Sequence, residues 1–247
     1  MTARTQPKLT TTAIVGFAAL LVLLVLGLNP SRAAAATCDT TWAGSSSGSW
    51  FDNANWIDGD ADPNNNVPGA ADNVCITNPG SYTVTIVDNT VFSTGSAKSI
   101  TVGDGDTDNG TVTLSISAST SGGGNPQAGT LNSLSEESTI ATDGVLELTG
   151  VGGNPGQALI QSSAAINNSG VVRSSVGGGG ERLFGVVLNN LAGGIVDIAY
   201  NATQGFTTTW TNSGTFNVAN GATFTYTGNG AGPVSYTHLT LPTIYSV

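Results

Sequence analysis

Apolar and polar positions alternate with a period of two through most of the chain. Tyr82, Val84 and Ile86 alternate with Ser81, Thr83 and Thr85, and Val112, Leu114 and Ile116 alternate with Thr111, Thr113 and Ser115. Leu146 with Leu148, Val196 with Ile198 and Tyr200, and Phe224 with Tyr226 continue the pattern. An apolar side chain at every second residue marks a half-buried strand, and no helical periodicity competes with it from Trp42 onward. Gly, Asn, Ser and Thr fill the intervals, where tight turns call for positive φ or for side chains that bond their own backbone.

One stretch recurs in the second half: Ile166-Asn-Asn-Ser-Gly-Val-Val172, Leu188-Asn-Asn-Leu-Ala-Gly-Gly-Ile-Val196 and Trp210-Thr-Asn-Ser-Gly-Thr-Phe216. The copies are offset by 24 and then 20 residues, counted between Gly170, Gly194 and Gly214. A unit this short cannot bury its own apolar face, so it must stack on copies of itself. The expected fold is all-β, a right-handed parallel β-helix (β-solenoid) in which asparagines stack in register at successive corners. The alternative is an antiparallel β-sandwich. Asn109-Gly110 and Asn220-Gly221 sit between strand-like runs, and such dipeptides favour hairpins, here Phe216–Val218 against Ala222–Phe224. Independent hairpins do not account for a repeated spacing, which favours the parallel arrangement. Ser121 to Gln127 and Val176 to Arg182 are expected to bulge out as loops.

Arg4 and Lys8, the apolar run from Ala13 to Leu28 and the small residues ending at Ala36 have the layout of a secretory signal peptide, assigned to 1–36. The run is shorter than the ~20 residues that span a bilayer. At the other end, Val234 to Thr243 resembles a translated transposase-type sequencing adapter, so 234–247 reads as a non-native tail and the natural chain as continuing beyond Pro233. Between these ends, 37–98 is a Trp-rich N-terminal capping region with the first strands, and 99–233 holds the solenoid repeats, truncated.

Charge narrows the partners. The chain has 16 acidic and 6 basic residues, a formal net charge of −10. Every acid, but only Lys98, Arg173 and Arg182 among the cations, lies between Thr37 and Pro233. That surface has no footprint for nucleic acid or for an anionic membrane after signal cleavage. Cys38 and Cys75 form an even pair in an exported chain, which reads as a disulfide.

The block Trp42-Ala-Gly, Gly48-Ser-Trp50-Phe-Asp-Asn-Ala-Asn-Trp56, Val67-Pro-Gly-Ala-Ala-Asp-Asn-Val74 and Gly80-Ser-Tyr-Thr-Val-Thr-Ile86 differs in composition from the rest. It resembles the N-terminal region of large bacterial secreted and cell-surface, adhesin-like proteins that continue into β-helical repeats. The resemblance covers Trp42 to Ile86 and implies a location and a scaffold, with surface glycans or other cells as partners, rather than a reaction. Physically, Trp42, Trp50, Phe51 and Trp56 suit a cap over the open end of a first coil. The alternative is a carbohydrate platform of Trp42, Trp50 and Trp56, each stacking an apolar face on a sugar ring. That second reading makes the chain a carbohydrate-binding or accessory module of a polysaccharide-degrading enzyme whose catalytic part is missing.

Catalytic motifs fail on inventory. Gly44-Ser-Ser46-Ser-Gly48 has the spacing of a nucleophile elbow, but the lone histidine, His238, lies in the tail, and no strand-to-helix context surrounds the motif. Zinc needs Cys or His clusters that are missing here, and the Gly177 to Gly180 run is followed by Glu181 rather than a phosphate-binding Lys. Asp58, Asp60 and Asp62, and again Asp104, Asp106 and Asp108, offer hard oxygen ligands at alternate positions, as a calcium loop does. Structural calcium at these positions is the one cofactor the sequence suggests. Asp143, Glu147, Arg173, Glu181, Arg182 and Asp197 are the groups available for carboxylate catalysis, and spacing alone brings no two of them together. No catalytic residue is assigned. The expectation is a non-catalytic extracellular protein acting in adhesion or display.

Overall fold

The computed structural model describes residues 37–59, 67–87, 93–118, 129–150, 156–178, 180–205 and 208–227. The segments read as signal peptide (1–36) and tail (234–247), and the loop expected at Ser121 to Gln127, lie outside these residues. Within them the chain is all-β. Its strands follow in order as β1 (Thr40–Trp42), β2 (Gly48–Ser49), β3 (Trp56–Asp58), β4 (Asn73–Ile76), β5 (Tyr82–Ile86), β6 (Ser93–Ser96), β7 (Ser99–Val102), β8 (Val112–Ala118) and β9 (Gly129–Leu134). They continue as β10 (Ser138–Ile140), β11 (Gly144–Gly150), β12 (Ala158–Asn168), β13 (Val171–Ser174), β14 (Arg182–Asn190), β15 (Ile195–Ile198), β16 (Ala202–Gln204), β17 (Trp210–Asn212), β18 (Thr215–Val218) and β19 (Phe224–Tyr226).

These strands line up in three rows, with parallel pairing along each. The first row runs β1, β4, β7, β10, the end of β12, the end of β14 and β17. A second, a sheet of its own, runs β2, β5, β8, β11, β13, β15 and β18. The third runs β6, β9, the start of β12, the start of β14, β16 and β19. Among the described residues β1 and β3 form the one antiparallel pair. The hairpin that Asn220-Gly221 suggested is not formed: β18 pairs with β15, and β19 with β16, in different sheets. A parallel neighbour cannot be reached by a two-residue turn, so the parallel partners are strands well separated along the chain.

The period-two pattern becomes columns of like residues. Val84, Leu114, Leu146, Val172, Val196 and Phe216 stand in register through six strands of the second row, all buried. In the first row Ile76, Val102 and Ile140 occupy one column, which Asn168, Asn190 and Asn212 then continue. Buried amides must find partners, and here each finds the next. Asn168 Nδ2 donates to Asn190 Oδ1 at 2.7 Å, and Asn190 Nδ2 to Asn212 Oδ1 at 2.6 Å. A parallel ladder runs outside it, with Asn189 Nδ2 donating to Asn167 Oδ1 at 2.9 Å and Thr211 Oγ1 to Asn189 Oδ1 at 3.0 Å.

The ladder also resolves the uneven repeat. Asn168, Asn190 and Asn212 are separated by 22 and 22 residues, although the glycines beyond them are offset by 24 and 20. The corner from Leu191 to Gly194 is longer by two residues than Ser169-Gly170 or Ser213-Gly214. Gly170, Gly194 and Gly214 are not at positive φ, contrary to the turn argument. They are glycines because neighbouring backbone segments nearly touch: a Cβ on Gly194 would lie 2.3 Å from Asn168 O, and one on Gly214 would lie 2.2 Å from Gly194 O.

At the first end, Cys38 and Cys75 form a disulfide with Cα atoms 5.7 Å apart, joining the start of the described chain to β4. Trp42 meets Trp56 edge-on at 4.9 Å, Trp56 meets Trp50 at 5.0 Å, and Trp42 stacks on Tyr82 at 6.4 Å. These rings close over the β1, β2 and β3 ends of both sheets and belong to the same core as the columns.

Candidate functional site

The tryptophan rings do not form a sugar platform. Trp42, Trp50 and Trp56 are 1%, 0% and 3% exposed, and Trp56 Nε1 donates to Trp50 O at 2.7 Å inside the cluster. A ring buried to this degree has no open face for a saccharide.

In the second aspartate cluster, oxygens of Asp104 and Asp106 are spent locally. Asp104 Oδ1 accepts from Asp106 N at 2.7 Å, Asp106 Oδ1 from Asp108 N at 3.0 Å, and Asp106 Oδ2 from Asn109 Nδ2 at 3.0 Å. This is a turn capped by its own side chains, with Asp106 at the N-cap of a single 3-10 turn over Thr107–Asn109. Asp58 lies in β3, while Asp60 and Asp62 fall outside the described residues. Among the described residues no three His, Cys, Asp or Glu side chains group in a way that could hold a metal ion.

Register does gather part of the carboxylate set. Along β11, β13 and β15 the inward residues are buried, so alternation turns Glu147, Arg173 and Asp197 outward. Pairing aligns Glu147 with Arg173 and Arg173 with Asp197. Arg173 Nε donates to Glu147 Oε1 at 2.8 Å, and Ser175 Oγ donates to the same oxygen. The two carboxylates therefore stand two strands apart, about 10 Å at the usual spacing, with the guanidinium on the rung between them. The Arg173–Glu147 ion pair occupies one side of that gap. Val145, Val171 and Ile195 form the adjoining outward column.

The remaining members are elsewhere. Asp143 is buried and accepts from Gly105 N at 2.8 Å and Asp104 N at 3.2 Å, clipping that loop to the tier above. Glu181 accepts from Gln157 Nε2 at 2.8 Å. Arg182 is 0% exposed, in register between Ala158 and Ala202, whose small side chains make room for it. Its guanidinium donates to Gly180 O at 2.8 Å and Gly178 O at 3.1 Å and lies 4.5 Å from the Tyr200 ring centroid, while Nε has no partner. Burial lowers its pKa, against a smaller opposing effect from Tyr200. Arg182 was expected in a loop; the alanines one circuit before and after it were the signal that it turns inward.

A concave feature appears where the strands slip. Pairing of β9 with β12 shifts between Ile160 and Ser162, and pairing of β12 with β14 shifts between Gln161 and Ala165. Bulges re-aim side chains, and here they open a depression of about 540 Å³ lined by Asn132, Leu134, Ser135, Gln161, Ser162 and Ser163. Ser162 and Ser163 Oγ donate to Leu134 O at 3.1 and 3.2 Å, and Ser162 Oγ accepts from Ala164 N at 3.1 Å. Among the described residues no charged side chain lines it. Its lining is hydroxyls and amides beside one leucine, groups that can hydrogen-bond a neutral polar ligand. Nothing in the period-two pattern marks this place, because bulges arise from mismatched lengths in neighbouring strands.

No protein-family model, curated protein or solved structure matches the chain. Among the described residues no helix is long and apolar enough to cross a membrane, and the Cys38–Cys75 disulfide is the chemistry of an oxidising compartment.

Proposed function

We propose that the chain is a right-handed parallel β-helix, capped at its first tier by Trp42, Trp50 and Trp56, that is exported and acts without catalysis in adhesion or display at a cell surface. The observation that carries the architecture is the asparagine ladder, three identical side chains at one position of three successive tiers. Export fits the disulfide. Resemblance of the Trp42 to Ile86 block to adhesin-like surface proteins supports the same reading. Binding falls to the uncharged depression at Gln161 to Ser163, where surface glycans meet hydroxyl and amide groups. Burial of the three indoles removes the support for an accessory module built on exposed rings.

The test is to immobilise the full chain and present neutral oligosaccharides, uronate-containing oligosaccharides and intact cells. Saturable retention of neutral sugars and cells, with the sugars recovered at their original length, is the expected result, and Gln161→Ala with Ser163→Ala weakens sugar retention. Shortened saccharides in the eluate would overturn the non-catalytic reading.

A further inference from the structure

Two identical Asn-Gly dipeptides sit at corners of the described chain, and their surroundings differ. Asn109 Nδ2 donates to Asp106 Oδ2 at 3.0 Å, its backbone N donates to Asp106 O at 3.2 Å, and its carbonyl accepts from Gly80 N at 2.7 Å. Gly110 is packed so closely that a Cβ there would lie 2.7 Å from Ser81 Oγ. Asn220 and Gly221 are the exposed central residues of a turn closed by Ala222 N donating to Ala219 O at 3.0 Å. Gly221 has φ of 82° and nothing within 4 Å of a Cβ position. Among the described residues none bonds the Asn220 side chain or the Gly221 N–H.

We propose that Asn220 is a site of spontaneous modification, deamidated by attack of its own neighbour's backbone nitrogen. Gly221 N gives its proton to hydroxide and bonds to Asn220 Cγ; the Cγ–Nδ2 bond breaks as the departing nitrogen takes a proton from water, which regenerates hydroxide, and ammonia leaves, closing a succinimide. Water then opens that ring. Addition at Cγ yields aspartate, and addition at the backbone carbonyl routes the chain through the side chain as isoaspartate. Water is the only co-reactant. The absence of a Cβ on Gly221 leaves the approach unhindered, whereas at Asn109 the same attack must first break the bond to Asp106 and move a glycine wedged against Gly80 and Ser81. The product adds a negative charge, and as isoaspartate one backbone carbon, to the turn between β18 and β19.

The experiment incubates the full chain at mildly alkaline pH, in buffer and in concentrated urea, and follows the Asn109 and Asn220 peptides by mass spectrometry with isoaspartate detection. In buffer Asn220 converts at least several-fold faster than Asn109; in urea the two rates converge, because only the fold distinguishes them. Asn220→Gln removes the signal at position 220, resolved by fragment ions from the Asn229-Gly230 pair farther along, and leaves Asn109 unchanged. Equal rates in buffer, or faster loss of Asn109, would overturn the assignment.

Discussion

Replacing Asn190 by aspartate tests the ladder at its centre. The side chain is 2% exposed. Its Nδ2 donates to Asn212 Oδ1 at 2.6 Å, Thr215 O at 3.1 Å and Gly194 O at 3.3 Å, and its Oδ1 accepts from Asn168 Nδ2 at 2.7 Å. Asn190→Ala loses all four contacts at about 0.5–1.5 kcal/mol net each, softened because Asn168 Nδ2 keeps Ile195 O at 3.1 Å, so a loss of about 2–4 kcal/mol is expected. Asn190→Asp keeps the acceptor but aims a buried carboxylate at three oxygens, and an uncompensated buried charge costs about 3–5 kcal/mol. Desolvation and those oxygens both raise the folded-state pKa of the new acid. A raised carboxyl pKa means the folded state holds its proton where the unfolded chain has lost it. Stability is therefore fully present below the unfolded pKa and is lost as pH rises through the folded one. Urea midpoints of both variants, measured from acid to neutral pH, should cross: Asn190→Asp is the worse at neutral pH and the better in acid, where its O–H can donate to Asn212. Using the difference between the variants cancels titrations common to both. Parallel curves, or an aspartate variant as stable as wild type at neutral pH, would refute the ladder.

Tyr82 supplies an alkaline counterpart. Burial, opposed by the Asn78 backbone and helped by smaller effects of Asp143 and Asp104, pushes its pKa from 10.0 to about 12. The folded state keeps the phenol proton longer than the unfolded chain, so stability falls between pH 10 and 12, by about 1–2 kcal/mol, and Tyr82→Phe flattens that fall in urea titrations. The two corner glycines separate crowding from backbone strain. Gly193→Ala, at φ 90° with open space around it, should cost about 1–2 kcal/mol, and Gly194→Ala, facing Asn168 O at 2.3 Å, considerably more, read as thermal midpoints. Reducing Cys38–Cys75 should lower stability by about 4 kcal/mol, and an unchanged urea midpoint under reductant would show that β1 holds without it. Adding calcium should leave the midpoint where it is, since Asp104 and Asp106 already cap backbone N–H groups; a rise would mean that they rearrange around an ion.

The strands were legible because burial on one face leaves a period that needs no tertiary knowledge. Tyr82 to Ile86 and Val112 to Ile116 appear where the alternation put them, and the recurring asparagines do stack. The tryptophans were legible only as a cluster. A capping ring and a sugar-binding ring have the same chemistry, and the difference lies in how the antiparallel β1–β3 pair turns them inward. The corner glycines were found for the wrong reason, since close approach between tiers leaves no mark on a single repeat. Glu147, Arg173 and Asp197 became neighbours only through register, 26 residues separating the bonded pair. Asp143 and Arg182 looked like surface catalysts because charge is read as exposure, whereas backbone N–H groups hold one and glycine carbonyls the other.

The extra pair of residues at Leu191 to Gly194 shows what this architecture tolerates under mutation. An insertion in the middle of a strand would turn every following side chain to the opposite face. Here the added length leaves at a corner, and the asparagines on either side keep their 22-residue step. Insertions and deletions are thus sorted by where they fall: register-breaking within a strand, accommodated at the corner. Such a chain can lengthen, shorten or acquire new segments at its corners over generations while the interior stays the same, which makes the Leu191 to Gly194 vertex the natural place to graft a foreign loop.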